Sequence, residues 1–157
     1  MILFPHVLTG ALIGSKFENL AAIFILAVFF HYLLDLLPHW DYLEKETGYA
    51  SQKNLFHFLL KATLELALSL LFVWFLFLKD SLFVWPYILW GIFWSILPDG
   101  MVFLNHLTKE KFGYLSIHQK FHDKIHWLFD PNKKAPIWLG AIIEAAIITA
   151  LIFLILS

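Results

Sequence analysis

Apolar residues run along this chain in blocks rather than in alternation. Residues 20–38, 55–78 and 136–156 are continuous apolar stretches. A fourth, residues 82–104, is punctuated by Pro86 and by Pro98-Asp99-Gly100. About 20 apolar residues suffice to span a bilayer as a helix. Strands of a membrane barrel would alternate, and a lipid-facing backbone must satisfy its own hydrogen bonds, so the blocks predict helices. A shorter block, residues 2–15, carries Pro5 near its start, which suits a helix N-terminus. Its Gly10 and Gly14 form a small-xxx-small pair that lets two helices approach closely. The expected fold class is therefore all-α, a polytopic membrane bundle. It has about four transmembrane helices, a short N-terminal helix that half-spans, and an interfacial His-rich helical loop. The 157 residues make one domain.

Two polar linkers, residues 39–54 and 105–135, separate the blocks. Following the chain through four crossings puts both linkers on one face, with only Lys79-Asp80-Ser81 and the residues around Lys16 opposite. Lys45, Lys53, Lys109, Lys111, Lys120, Lys124, Lys133 and Lys134 lie on the linker face. The positive-inside rule makes that face cytoplasmic, which places the protein in a plasma membrane, the bacterial inner membrane being the expected one. The opening MILFPHVLTG has no basic leader and no A-x-A site, so it is expected to stay in the mature fold.

Composition agrees with the pattern. Hydrophobic residues make up 61% and charged residues 15%, where soluble domains carry about 45–50% and about 25%. That excess is too large for one buried core, so lipid must cover part of the surface. Net charge is −1, which leaves no general basic field for nucleic acid. Every cation is a lysine, so phosphate would meet point charges rather than arginine forks. Cysteine is absent, which excludes disulfides.

Against this apolar background the ionisable residues stand out, because charges within membrane helices are costly and usually mark function or a buried pair. His31, Asp35 and His39 are spaced i, i+4, i+8 and share one helix face. His57, Lys61 and Glu65 repeat that spacing, as do His118, His122 and His126. Asp41 follows just outside the second block, Asp99 ends the fourth, Glu144 lies in the last and His6 near the start. With a rise of roughly 1.5 Å per residue, His31, Asp35, Lys61, Glu65 and Glu144 fall roughly 5–16 Å below the linker face, and the others near its rim. Neutral imidazole and carboxylate are the ordinary ligands of zinc, and of manganese or iron where carboxylates are numerous. The sequence therefore nominates His6, His31, Asp35, His39, Asp99, His122 and His126 as ligands of a divalent metal, zinc first. Asp41 or Glu65 is the candidate general base, and Lys61 the group that meets developing negative charge. The competing reading of Lys61 with Glu65 is a buried ion pair.

At FPHVLTGALIG, HYLLDLLPHWDY, SILPDG and FHDKIHW the chain resembles the predicted membrane-bound metal-dependent hydrolases, also described as LexA-binding inner-membrane hydrolases. That pattern has an early His followed by small residues, a Leu-Pro-Asp-x-Asp element and a later His-Arg-x-x-x-His element. His6 matches the first. Leu37-Pro38-His39-Trp40-Asp41 matches the second, with His39 in place of its first Asp. His122 to His126 matches the third, with Asp123 where Arg is usual. The resemblance implies a metal-dependent hydrolase.

Together these readings lead to a membrane hydrolase acting on a lipid or lipid-linked phosphate ester, with the bilayer as its main partner. The alternatives are a divalent-metal or proton transporter, and a non-catalytic metal-stabilised scaffold. The oligomeric state is not specified by the sequence.

Overall fold

The computed structural model describes residues 3–39, 52–78, 84–126 and 136–157. Among the described residues there are six helices and no strand: α1 Leu3–Lys16, α2 Leu20–Asp35, α3 Gln52–Leu76, α4 Trp85–Leu107, α5 Gly113–His126 and α6 Ile137–Leu156. The all-α expectation holds. Segments Leu59–Leu76, Trp85–Leu107 and Trp138–Leu156 are long and apolar enough to cross a membrane. On α3, Leu64, Leu68, Leu71 and Phe75 recur at helical spacing and are all exposed. Such a stripe would be a liability in water and is what a lipid-facing surface requires.

α2 has 16 residues, about 24 Å at the helical rise. It is shorter than the expected span over 20–38. Both ends have local causes. The Asn19 side chain accepts from the N–H groups of Ala21 and Ala22 at 3.0 and 3.1 Å, capping the start. At the other end Pro38 disfavours helical backbone at Leu37. The fourth block departs from expectation in the opposite sense. α4 runs unbroken from Trp85 to Leu107 through Pro98, Asp99 and Gly100, so Asp99 lies inside this helix and does not end it. Pro98 has no N–H to give to the carbonyl one turn back. It is buried in the bundle, and packing carries the helix across the lost bond.

α1 is buried nearly all round, from Pro5 to Gly14, and packs against α2, α3, α4 and α6. Val7, Leu8 and Ala11 meet Val73, Phe77, Ile88 and Ile92 in the main core, with Ile148, Leu151, Ile152 and Ile155 of α6 against it. A second cluster joins Ile13 to Ile23 and Ala27 of α2, with Tyr87, Trp90 and Trp94 of α4 around it. The closest crossing is α1 on α4. A Cβ built at Gly10 would stand 2.5 Å from the Gly91 carbonyl oxygen, and one at Gly14 would stand 2.2 Å from that of Tyr87. The GALIG pair thus makes the backbone contact its spacing predicts. It carries His6, one turn before Gly10, into the bundle beside α2 and α4.

After α4 the chain reverses sharply. Lys109 and Glu110 take left-handed φ values of 52° and 59°, and Glu110 N–H donates to the Asn105 carbonyl at 3.0 Å. The amphipathic α5 is thereby laid back against α4. Asn105, buried at the end of α4, donates to Gln119 at 2.7 Å and accepts from Ser116 at 3.2 Å, which fixes α5 in register.

Candidate metal centre

The centre is built around Asp35, in the last turn of α2, whose side chain is fully buried. Four imidazole Nε2 atoms lie against its carboxylate. His31, one turn earlier, is 3.0 Å from Oδ2, His122 is 3.4 Å from it and His126 3.2 Å, while His6 is 3.3 Å from Oδ1. α4 adds Asp99, with Oδ1 3.1 Å from His122 Nε2 and 3.9 Å from His31 Nε2. The two Nε2 atoms of His31 and His122 are 3.4 Å apart. Four helices therefore converge on one point.

Proton positions show what the cluster needs at its centre. His31 Nδ1 lies 2.7 Å from the Ser95 backbone carbonyl. A carbonyl only accepts, so the proton is on Nδ1, and Nε2 of the neutral ring carries a lone pair. That lone pair faces a carboxylate oxygen and a second imidazole nitrogen. Lone pairs in such a cluster repel unless a proton or a cation stands between them. Ser95 is tied in turn, its hydroxyl donating to the His6 carbonyl at 2.8 Å, so one small residue orients two cluster histidines. Nε2 of His6 and Nε2 of His126 are buried 3.3 and 3.2 Å from the Asp35 carboxylate without an aligned hydrogen bond, an arrangement that a shared cation would satisfy.

The spacing fits a metal. With arms of about 2.0–2.1 Å, a tetrahedral zinc site has ligand-to-ligand edges of roughly 3.3 Å. Five of the six edges among His31, Asp35, Asp99 and His122 run from 3.0 to 3.9 Å, and one donor atom from each lies within 4.8 Å of the others. A second trio, Asp35, His39 and His126, meets the same distance limit. The His39 Nδ1 is held by the Leu37 carbonyl at 2.7 Å, which again leaves Nε2 as the nitrogen with a lone pair.

Electrostatics of the two loop-side histidines divide them. Burial pushes the His39 imidazole down to about 3, so it is neutral and ready to bind at pH 7. For His122 burial also acts downward, but its hydrogen bonds to Asp35 and Asp99 outweigh burial and lift it to about 9. Without metal His122 therefore holds a proton at neutral pH. That proton stabilises the metal-free fold fully below about 6.5, and the contribution fades as pH rises through about 9. A metal must displace it, so zinc affinity should rise about tenfold per pH unit between pH 7 and 9. Competition titrations with a fluorescent chelator across that range would measure the slope, and a flat profile would contradict proton displacement at His122.

All seven nominated ligands, His6, His31, Asp35, His39, Asp99, His122 and His126, are brought together. Two of the nominated catalytic residues, Lys61 and Glu65, fall elsewhere. Lys61 is exposed on α3. Glu65 accepts the Phe4 N–H at 3.1 Å, satisfying an open donor of the first turn of α1. Neither belongs to the two donor groups. Asp41 lies outside the described residues. His118 sits 3.0 Å from the Tyr32 hydroxyl rather than among the ligands, and its imidazole is lowered first by burial and then by His122. Sequence reasoning missed Tyr32, Ser95 and Asn105. Only Ser95 left a trace there, as a hydroxyl in an apolar helix just before the Leu-Pro-Asp run.

No family model matches the chain, and no curated protein or solved structure is detectably similar to it.

Proposed function

We propose that this protein is a membrane-embedded, metal-dependent hydrolase that cleaves a phosphate ester of a lipid or lipid-linked substrate. The observation that carries the reading is the mixed His and Asp donor set around Asp35, spaced as the edges of a metal polyhedron. A divalent ion there, zinc first and manganese or iron next, supplies Lewis acidity and lowers the pKa of water.

The chain's own groups divide the remaining work. Asp35 is sealed, while the Asp99 side chain keeps 22% of its surface open, so a substrate can reach the cluster past Asp99. His31 and His39 are locked in the ligand tautomer by backbone carbonyls, which holds the donors in place before any substrate arrives. Lys120 and Lys124 are exposed on α5, the helix that supplies His122 and His126, and can meet an anionic headgroup as point charges. Asp41, two residues beyond His39 in sequence, is the candidate base. The bilayer is the natural source of substrate, because α3 and α6 carry exposed apolar side chains. The linker face is assigned to the cytoplasm by its lysines.

A conduction path would need polar groups along the whole bundle. Residues 20–30, 66–76 and 145–156 contain no ionisable side chain, which favours an enzyme over a channel.

The test is phosphate release from short-chain phosphatidic acid and lipid pyrophosphates by the detergent-purified chain. Zinc or manganese should support turnover, chelation should abolish it, and Asp99→Asn should reduce it by about 100-fold or more. A metal-loaded protein inert on every phosphate ester would retire the hydrolase reading.

A further inference from the structure

We infer that the cluster is a dinuclear centre, two divalent cations bridged by the Asp35 carboxylate. The inference rests on the metal-dependent reading above and goes beyond it in nuclearity and in the charge of the substrate. Seven side chains converge, whereas zinc takes four ligands and at most about five. Six of them sort into two sets, His31, Asp35, Asp99 and His122 in one, Asp35, His39 and His126 in the other, sharing Asp35 alone. The two sets meet at one oxygen of that carboxylate, Oδ2, with His31 and His122 of the first set and His126 of the second within 3.4 Å of it, while His6 lies against Oδ1.

The competing arrangement has one metal in the first set and the remaining histidines as outer partners of Asp35. An outer partner must donate an N–H to the carboxylate. His39 cannot do so as a neutral ring, because its Nδ1 proton is spent on the Leu37 carbonyl at 2.7 Å. Its remaining lone pair can serve a cation but not a carboxylate. Two-metal sites in general hold their ions about 3.5–4 Å apart, a clamp that would suit both oxygens of an in-line displacement.

Charge gives the consequence for substrate. Two divalent ions outweigh the Asp35 and Asp99 carboxylates by two positive charges in a largely buried site. The group that offsets this excess is a phosphate dianion, so a phosphomonoester is favoured over a diester. Inorganic phosphate should accordingly bind the doubly loaded protein and not the singly loaded one.

The experiment uses the full chain in detergent, equilibrated by dialysis against zinc and analysed by inductively coupled plasma mass spectrometry. Two zinc ions per chain are expected in the wild type, one in His126→Ala and none in Asp35→Ala. Manganese loading of the wild type gives an independent readout that needs no variant, since a bridged pair yields a spin-coupled paramagnetic resonance spectrum. One ion per chain overturns the dinuclear centre and leaves the hydrolase reading standing, whereas none removes both. Two ions with uncoupled manganese signals, or two retained in His126→Ala, overturn the Asp35 bridge.

Discussion

Asp35→Asn should weaken zinc binding by at least about 100-fold, the largest effect expected of any single substitution here. Loss of partners that only orient a ligand lowers affinity about 10–100-fold. Asp35 is more than that, since four Nε2 atoms lie within 3.4 Å of its oxygens. Asparagine keeps the shape and removes the charge that balances the metal. Its amide also turns an N–H donor toward histidines that need a shared anion. The effect can be read as stability. With zinc at about 1,000 times its dissociation constant, metal binding adds about 4 kcal/mol to the wild type, and a 100-fold weaker site leaves about 1.4 kcal/mol. The zinc-induced rise in Tm should therefore fall to about a third or less in the variant, while the two proteins differ much less in chelator. Equal zinc-induced shifts in the two proteins would mean that the metal, if bound, lies elsewhere.

Gly91→Ala should be the most damaging substitution away from the ligands. A Cβ there would stand 2.2 Å from the Gly10 carbonyl oxygen, and that neighbour is backbone, which cannot swing aside. Overpacking of this kind typically costs about 1–3 kcal/mol, occasionally more. The damage should reach the centre, because Ser95 lies one turn from Gly91 and its hydroxyl holds the His6 carbonyl at 2.8 Å. Both Tm and zinc affinity are expected to fall. Gly100→Ala is the matched control on the same helix, where an added methyl would meet nothing within 4 Å. It should be neutral or stabilising by up to about 1 kcal/mol, since alanine is the better helix former. If the two variants behave alike, the close α1–α4 crossing is not what holds His6 in place.

These two residues also divide what one dimension of information contains. Block length and continuity were enough for an all-α bundle with lipid-facing helices, because apolar length and backbone satisfaction act on each segment by itself. The i, i+4 spacings of His31 with Asp35 and of His122 with His126 were equally legible, since a helix puts such pairs on one face whatever it packs against. The GALIG pair announced a close approach for the same reason.

The partner of that approach, Gly91, was not legible, and nor was the fate of the two Leu-Pro pairs. At Leu37-Pro38 the helix has already ended, whereas at Leu97-Pro98 it continues, because buried packing around α4 outweighs one missing hydrogen bond. The same local signal has two outcomes, and only the surroundings choose between them.

The sequence by itself determined which segments are helices, which of them are apolar enough for lipid, and which polar residues share a helix face. The tertiary structure alone decided which faces meet. It brought His6 and Asp99 to Asp35, gave Ser95 its two histidines, and set Glu65 to cap α1 rather than to join the ligands. Helical periodicity fixes directions around one axis, but the distances between axes come from packing of residues far apart in the chain.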